Sequence, residues 1–195
     1  MYYDQYKRIL DALSAGLLGL LLLPVIVLAV LVILIVDRHA PFFSQVRPGK
    51  DQQLFVCYKL RSMRSGFEPD KKRVTTLGKL LRRTAIDELP QLWNVLKGEM
   101  SMVGPRPLLP EYLPLYNDHQ NRRHEVRPGI TGLAQIKRGQ DLSWQARLDL
   151  DVYYVDHYSF RLDLILLLKT VAILLTSWRP GNGSLPVEKF KGNYP

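Results

Sequence analysis

The longest apolar run lies near the start of the chain. From Ala12 to Val36, 25 residues pass without a charge, between Asp11 and Asp37. As a straight helix this run measures about 37 Å, enough for the ~30 Å hydrocarbon core of a bilayer. Pro24 stands at its centre, with 12 residues on either side. Each arm is about 18 Å as helix, close to the depth of one leaflet. A proline inside a helix removes one backbone hydrogen bond and kinks the rod. Lys7 and Arg8 precede the run, while Arg38, Arg47 and Lys50 follow it, so both flanks have the cationic character of cytoplasmic ends. A helix that enters, bends at Pro24 and leaves by the same face satisfies both observations; a kinked spanning helix is the alternative. The run is too long for a signal-peptide core, and Asp37-Arg38-His39 is no small-residue cleavage site, so the segment is expected to stay on the mature protein.

Beyond it the pattern changes period. Pro41 to Gly49 alternates and ends on Pro-Gly, and Leu54 to Leu60 is β-branched and aromatic, which predicts a hairpin. Residues 65–74 are polar with Pro69 and read as loop. Leu77 to Arg83 and Asp87 to Leu96 have helical composition. In the second, Leu89, Leu92, Trp93 and Leu96 form an i, i+3, i+4, i+7 stripe assigned to the core. That phase puts Asp87 and Glu88 at a helix start, where the dipole favours carboxylates and Pro90 is tolerated. Leu108 to Asn117 and Ser143 to His157 are expected helices, and Asp149, Asp151 and Asp156 surface or structural acids. Leu162 to Trp178 is short for a span and suits an interfacial helix with Trp178 at headgroup level, or a buried one. The tail from Pro180 is rich in Gly, Pro and Asn and expected to be extended. The fold class that follows is α+β, mostly helical, with one small β-hairpin. Three regions are expected: the membrane-embedded helix over 1–37, a folded domain with interfacial helices over 38–179, and a tail over 180–195.

Charge adds a direction. Lys and Arg number 27 against 18 Asp and Glu, a net charge of +9, which implies a polyanionic partner such as phosphorylated substrates or anionic lipid. Nucleic acid fits poorly, because the aromatics are not interleaved with the basic clusters as stacking platforms. The single cysteine, Cys57, excludes an intramolecular disulfide framework. His39, His119, His124 and His157 show no zinc-binding spacing.

The chemistry is concentrated in Arg82-Arg83-Thr84-Ala85-Ile86-Asp87-Glu88-Leu89-Pro90. Two adjacent carboxylates follow two arginines, and downstream Pro105-Arg106-Pro107 fixes a further arginine on a stiff turn. Acids beside rigid cations suit a metal and a phosphorylated ligand. Lys59-Leu60-Arg61-Ser62-Met63-Arg64 carries three more cations, and Glu125-Val126-Arg127-Pro128-Gly129-Ile130-Thr131-Gly132 is either a phosphate-cradling segment or an ordinary tight turn.

Taken in order, these stretches resemble the bacterial sugar transferases, the small monotopic phosphoglycosyl transferases. The matching motifs are Lys59 to Met63, Leu81 to Leu92, Gly98 to Pro107, Arg123 to Gly132 and Leu150 to Val155. The resemblance implies transfer of a sugar 1-phosphate from a UDP-sugar to undecaprenyl phosphate, with release of UMP and with Mg²⁺, at the cytosolic face of the bacterial cytoplasmic membrane. It makes Asp87 the nucleophile that forms a phosphosugar intermediate, associates Glu88 with the metal, and puts Arg106 and Arg82 at the substrate phosphates. Lys59, Arg61 and Arg127 become candidate substrate contacts. It also implies a re-entrant helix broken at Pro24, although the family's frequent Ser before that proline is Leu23 here. The ending Val187 to Asn193 is similar to the tails of members acting on UDP-diacetylbacillosamine, which makes that donor the first expectation, ahead of other UDP-N-acetylhexosamines and UDP-hexoses. The resemblance leaves the oligomeric state open. Two rivals stand beside this reading: direct attack by the lipid phosphate with Asp87 as general base, and a non-catalytic scaffold that binds anionic lipid.

Overall fold

A computed structural model describes residues 2–66, 70–137, 142–176 and 190–192. Helix α1 runs from Tyr2 to Val32 and keeps helical assignment through Pro24, then closes in a π turn over Ile33–Asp37. The stretch Tyr3–Asp37 is long and apolar enough to cross a membrane, with a mean hydropathy of 3.4 over its best window. Its middle, including Leu20, Leu21, Leu23 and Leu28, is exposed. Both ends are tied to the folded domain. Arg8 donates to the carbonyls of Val95 and Leu96, both at 2.7 Å, and Asp11 accepts from the Ser101 hydroxyl at 2.7 Å. Ala15 lies in the main core beside Leu92, Val95 and Met100. At the other end Ala29 and Ile33 pack on Leu60 and Leu81, and Asp37 accepts from the Thr75 hydroxyl at 2.8 Å.

The expected hairpin is present. Strand β1 (Phe42–Pro48) pairs antiparallel with β2 (Leu54–Leu60), Phe42 opposite Leu60 and Pro48 opposite Leu54. A one-turn helix α2 (Asp70–Arg73) and a bridge between Met63 and Val74 occupy part of the stretch expected to be loop. Helix α3 (Thr76–Arg83) begins where the Thr75 hydroxyl accepts from the Gly78 amide at 2.8 Å, an N-cap. A Cβ on Gly78 would collide with the Ser62 carbonyl, so only glycine lets α3 sit this close to the strand's exit.

Helix α4 (Gln91–Lys97) starts four residues later than the sequence pattern placed it. Ala85 adopts the left-handed conformation at φ 55°, and Ile86–Glu88 form a separate 3₁₀ turn. Asp87 and Glu88 therefore stand ahead of the helix and not in its first turn. The phase of the buried face shifts as well: Gln91, Leu92, Asn94 and Val95 are inside, whereas Trp93 is 58% exposed and Leu96 38%. The expected stripe is corrected at those two positions. The cause is Asn94, whose side chain must turn inward because it accepts from the Tyr58 amide and donates to the Val56 carbonyl, covering the free edge of β2.

A second sheet was not foreseen. Strands β3 (Ser101–Val103) and β4 (Gly129–Thr131) pair in parallel, Ser101 opposite Gly129 and Val103 opposite Thr131. Cβ atoms on Gly104 or Gly129 would run into the partner backbone, so the glycines permit the contact. The segment expected as a helix from Leu108 is instead 3₁₀ turns over Pro110–Leu115, since Pro110 and Pro114 lack the amides a regular helix needs. Short helices α5 (Asp118–Asn121) and α6 (Leu133–Ile136) follow. Helix α7 (Trp144–His157) is capped by Ser143, and α8 (Phe160–Thr176) leaves Leu164, Leu168, Val171 and Leu175 exposed. Lys7 of α1 pairs with Asp163 of α8, which also accepts from the Tyr3 and Tyr154 hydroxyls at 2.8 and 2.7 Å. Trp178 and most of the tail expected to be extended lie outside the described residues. Phe190, within that tail, is buried against Tyr112, Tyr116 and Trp144.

Candidate active site

Three local structures converge on the Asp-Glu pair. The left-handed Ala85 costs about 1–2 kcal/mol for a residue with a Cβ, and it turns the chain so that the following two acids leave α3 toward the hairpin. The alternation of β2 sends Phe55, Cys57 and Lys59 to one face, and Lys59 Nζ donates to Glu88 Oε1 at 2.8 Å. The β3–β4 sheet carries the turn of Arg106, whose guanidinium donates to the same Oε1 at 2.7 Å. The Arg106 backbone is held in turn: its carbonyl accepts from Arg123 at 2.6 Å, and the preceding Pro105 carbonyl accepts from the Gly129 amide at 2.9 Å. Arg123 is itself buried in a pair with Asp151 of α7 at 2.8 Å, so the structural reading of Asp151 holds.

The two carboxylates differ in every respect. Burial alone would raise the Glu88 carboxyl, but the charges of Arg106 and then Lys59, with their hydrogen bonds, hold it far below the usual carboxylate range. Asp87 is 8% exposed, and among the described residues none donates a hydrogen bond to its carboxylate. Burial first, and the negative charge of Glu88 second, push its carboxyl up; Lys59, Arg82 and Arg106 only partly offset them. One acid is clamped by two cations that favour its ionised form. The other is free, desolvated and more basic, the condition that makes a carboxylate a better nucleophile or base.

Arg82 stands by Asp87 with its Nε bonded to the Ser62 hydroxyl at 2.8 Å. Arg61 and Arg127 point elsewhere. Arg61 donates to the Ala40 and Phe42 carbonyls at the mouth of the hairpin, and Arg127 donates to the Gly98 carbonyl and faces Asp4. Together with Arg8, Arg127 satisfies carbonyls at the end of α4. Pro24 lies in the exposed middle of α1. Residues that the sequence reading passed over as site residues are Ser62, Arg123 and Arg47. The last had a signal: Arg47-Pro48 repeats the Arg-Pro step of Arg106-Pro107, on the hairpin face shared with Lys59.

For a metal, the donor set is these two carboxylates. Among the described residues no group of three or more His, Cys, Asp or Glu side chains could hold an ion. Both cations bind Glu88 through Oε1, which leaves Oε2 for another ligand. Two carboxylates without a third suit Mg²⁺ brought in with a diphosphate, since that ion keeps waters and phosphate oxygens and needs only one or two protein acids.

A free carboxylate next to a cation-clamped one is chemistry suited to phosphorylated ligands. The family model described as bacterial sugar transferase matches residues 2–177. The chain belongs to that family and is an enzyme of its class. It is 45% identical over 195 residues to the uncharacterized sugar transferase EpsL of Bacillus subtilis, covering 96% of each chain. It is 38% identical over 190 residues to the UDP-glucose:undecaprenyl-phosphate glucose-1-phosphate transferase of Caulobacter vibrioides, covering 89% of this chain and 71% of that one. It is 35% identical over 192 residues to the UDP-galactose-lipid carrier transferase of Erwinia amylovora, covering 87% of this chain and 40% of that one. The chain thus spans nearly all of the first relative and less than half of the last.

Proposed function

We propose that this enzyme transfers a sugar 1-phosphate from a UDP-sugar to undecaprenyl phosphate and releases UMP, as the first membrane step of glycoconjugate assembly. The observation that carries the mechanism is the contrast within the pair: Asp87 is buried and takes no hydrogen bond from the described residues, while Glu88 is gripped by Arg106 and Lys59. An Asp87 oxygen attacks the β-phosphorus. A P–O bond to the carboxylate forms, the bond to the bridging oxygen breaks, and its electrons leave with UMP. A phosphate oxygen of undecaprenyl phosphate then attacks the same phosphorus and returns Asp87 as a carboxylate. Arg106 and Arg82 neutralise phosphoryl charge at the two displacements, and splitting the transfer lets UMP leave before the lipid enters. Glu88 would hold Mg²⁺, which would supply further charge neutralisation at the phosphoryl oxygens.

Delivery of the acceptor is the role we assign to α1. Residues at both of its ends pack on the same folded domain, Ala15 in one cluster and Ile33 in another, which supports a helix that enters and leaves one leaflet at the cytosolic face with its bend at Pro24. The exposed apolar side of α8 suits the same interface. As to the sugar, the printed names of two relatives carry glucose and galactose, so UDP-hexoses join UDP-diacetylbacillosamine at the head of the donor panel.

The test is UMP release from a panel of UDP-sugars with undecaprenyl phosphate and Mg²⁺, wild type against Asp87→Asn, with a second arm that looks for donor-derived label on the protein when acceptor is withheld. Release and labelling by wild type alone are expected. Release without labelling would favour direct attack by the lipid phosphate. Equal release by Asp87→Asn would remove Asp87 from the chemistry.

A further inference from the structure

The hairpin face that carries Lys59 also carries Arg47. Phe43, Gln45 and Arg47 of β1 stand opposite Lys59, Cys57 and Phe55 of β2, so Arg47 and Lys59 share a face, about 13 Å apart along the strands at four residues of rise. Between them lies buried Cys57, whose thiol feels the charges of Lys59, Arg47, Glu88 and Arg106 together. Lys59, Arg106 and Glu88 are joined by hydrogen bonds, and Arg47 shares the hairpin face with Lys59. Glu88 is already taken by Lys59 and Arg106. Arg47 has a hydrogen bond to the neutral Gln45 side chain at 2.7 Å, and among the described residues no carboxylate forms an ion pair with it. Burial, the first cause, and the nearby Arg106 both act against its charge.

A partly buried guanidinium without a counter-ion, set beside a second guanidinium, is costly unless an anion completes it. Lys59, Arg82, Arg106 and Arg47 stand against Asp87 and Glu88, a surplus of two positive charges. The diphosphate of a nucleotide sugar, a diester with two negative charges at neutral pH, matches that surplus. Arginine's planar fork is suited to two phosphate oxygens at once.

We propose that Arg47 is a further substrate-binding residue, which grips the α-phosphate of the nucleotide and thus the UMP that leaves. The placement follows from the strand: Lys59 and Arg106 reach Glu88 of the acid pair, and Arg47 lies nearer the hairpin turn, where the α-phosphate would extend away from the reacting β-phosphorus. This inference rests on the transferase reading above and assigns one residue within it.

The experiment measures UMP binding to the full-length protein in lipid nanodiscs by calorimetry, for wild type, Arg47→Gln and Arg47→Lys, alongside thermal unfolding. Loss of a charge-assisted contact weakens binding about tenfold to a hundredfold, and that loss is expected for Arg47→Gln. Arg47→Lys, which keeps the charge without the fork, is expected to fall between the two, with KM for the UDP-sugar rising in the same order. Should Arg47→Gln fail to fold, Arg47→Lys decides: UMP affinity equal to wild type overturns the proposal. Wild-type affinity in a folded Arg47→Gln overturns it equally. If wild type itself binds no UMP, the transferase reading fails first and the assignment of Arg47 goes with it.

Discussion

Asp87 and Glu88 are consecutive residues whose acidities are driven in opposite directions, Asp87 up by burial and by its neighbour's charge, Glu88 down by Arg106 and Lys59. In the mechanism proposed above, Asp87 must be ionised to attack. The acid limb of kcat/KM for UMP release should therefore fall at a pH above the ordinary aspartate range of about 4. An acid limb at or below that range would assign it to some other group.

The same shift has a stability side. A carboxyl whose folded pKa is raised binds its proton more tightly in the native state, so above that pKa its ionised form destabilises the fold. Asp87→Asn should abolish UMP release and yet raise Tm at neutral pH. A lowered Tm would mean that the carboxylate has a structural partner.

Glu88 behaves in the reverse way. Its depressed pKa adds stability that is complete above the unfolded carboxylate value and is lost as pH falls toward the folded one. Glu88→Gln should therefore unfold at a lower temperature than wild type at pH 7, and the gap should narrow as the pH is lowered from about 5. A gap constant with pH would point to packing instead of charge.

How far the sequence revealed this arrangement can be read element by element. The hairpin was legible because seven-residue strands repeat the two-residue alternation often enough to be recognised, and α7 because Ser143 announces its start. The pair β3 and β4 was not, since three residues hold no period and their partner lies elsewhere in the chain. The motifs around Arg106 and Arg123 marked both strands without showing that they touch. The α4 stripe misled because a left-handed alanine and an inward asparagine reset the helix phase, and neither leaves a mark on hydrophobic periodicity. Arg61 and Arg127 looked like Arg106 in sequence; which cation reaches the acids depended on strand direction and on which carbonyls needed a donor.

That correction can be checked by packing. Leu92→Ala, in the core, should cost about 2–5 kcal/mol, whereas Trp93→Ala, mostly exposed, should change unfolding by less than about 1 kcal/mol. Chemical denaturation in detergent micelles measures both. Comparable losses would restore Trp93 to the core.

Phe190 offers a last test. It contacts Tyr112, Tyr116 and Trp144 from a tail that the sequence marks as polar and irregular. Phe190→Ala should lower stability by about 3–5 kcal/mol and reduce the near-ultraviolet dichroism of the aromatic cluster. An unchanged spectrum would mean that the ring is not seated there in solution.

Ala15 is a residue of the apolar helix and, equally, a residue of the interior shared with Cys57, Leu92 and Val95. Anchor and globule are consequently one solid body rather than a domain on a tether. A version trimmed of its first 37 residues would not be a soluble miniature of the enzyme: it would be a domain with an open wound where Ala15, Ala29 and Ile33 belong, with Ser101, Asp163 and Thr75 each losing a partner from that segment. The helix is the wall against which the site is built.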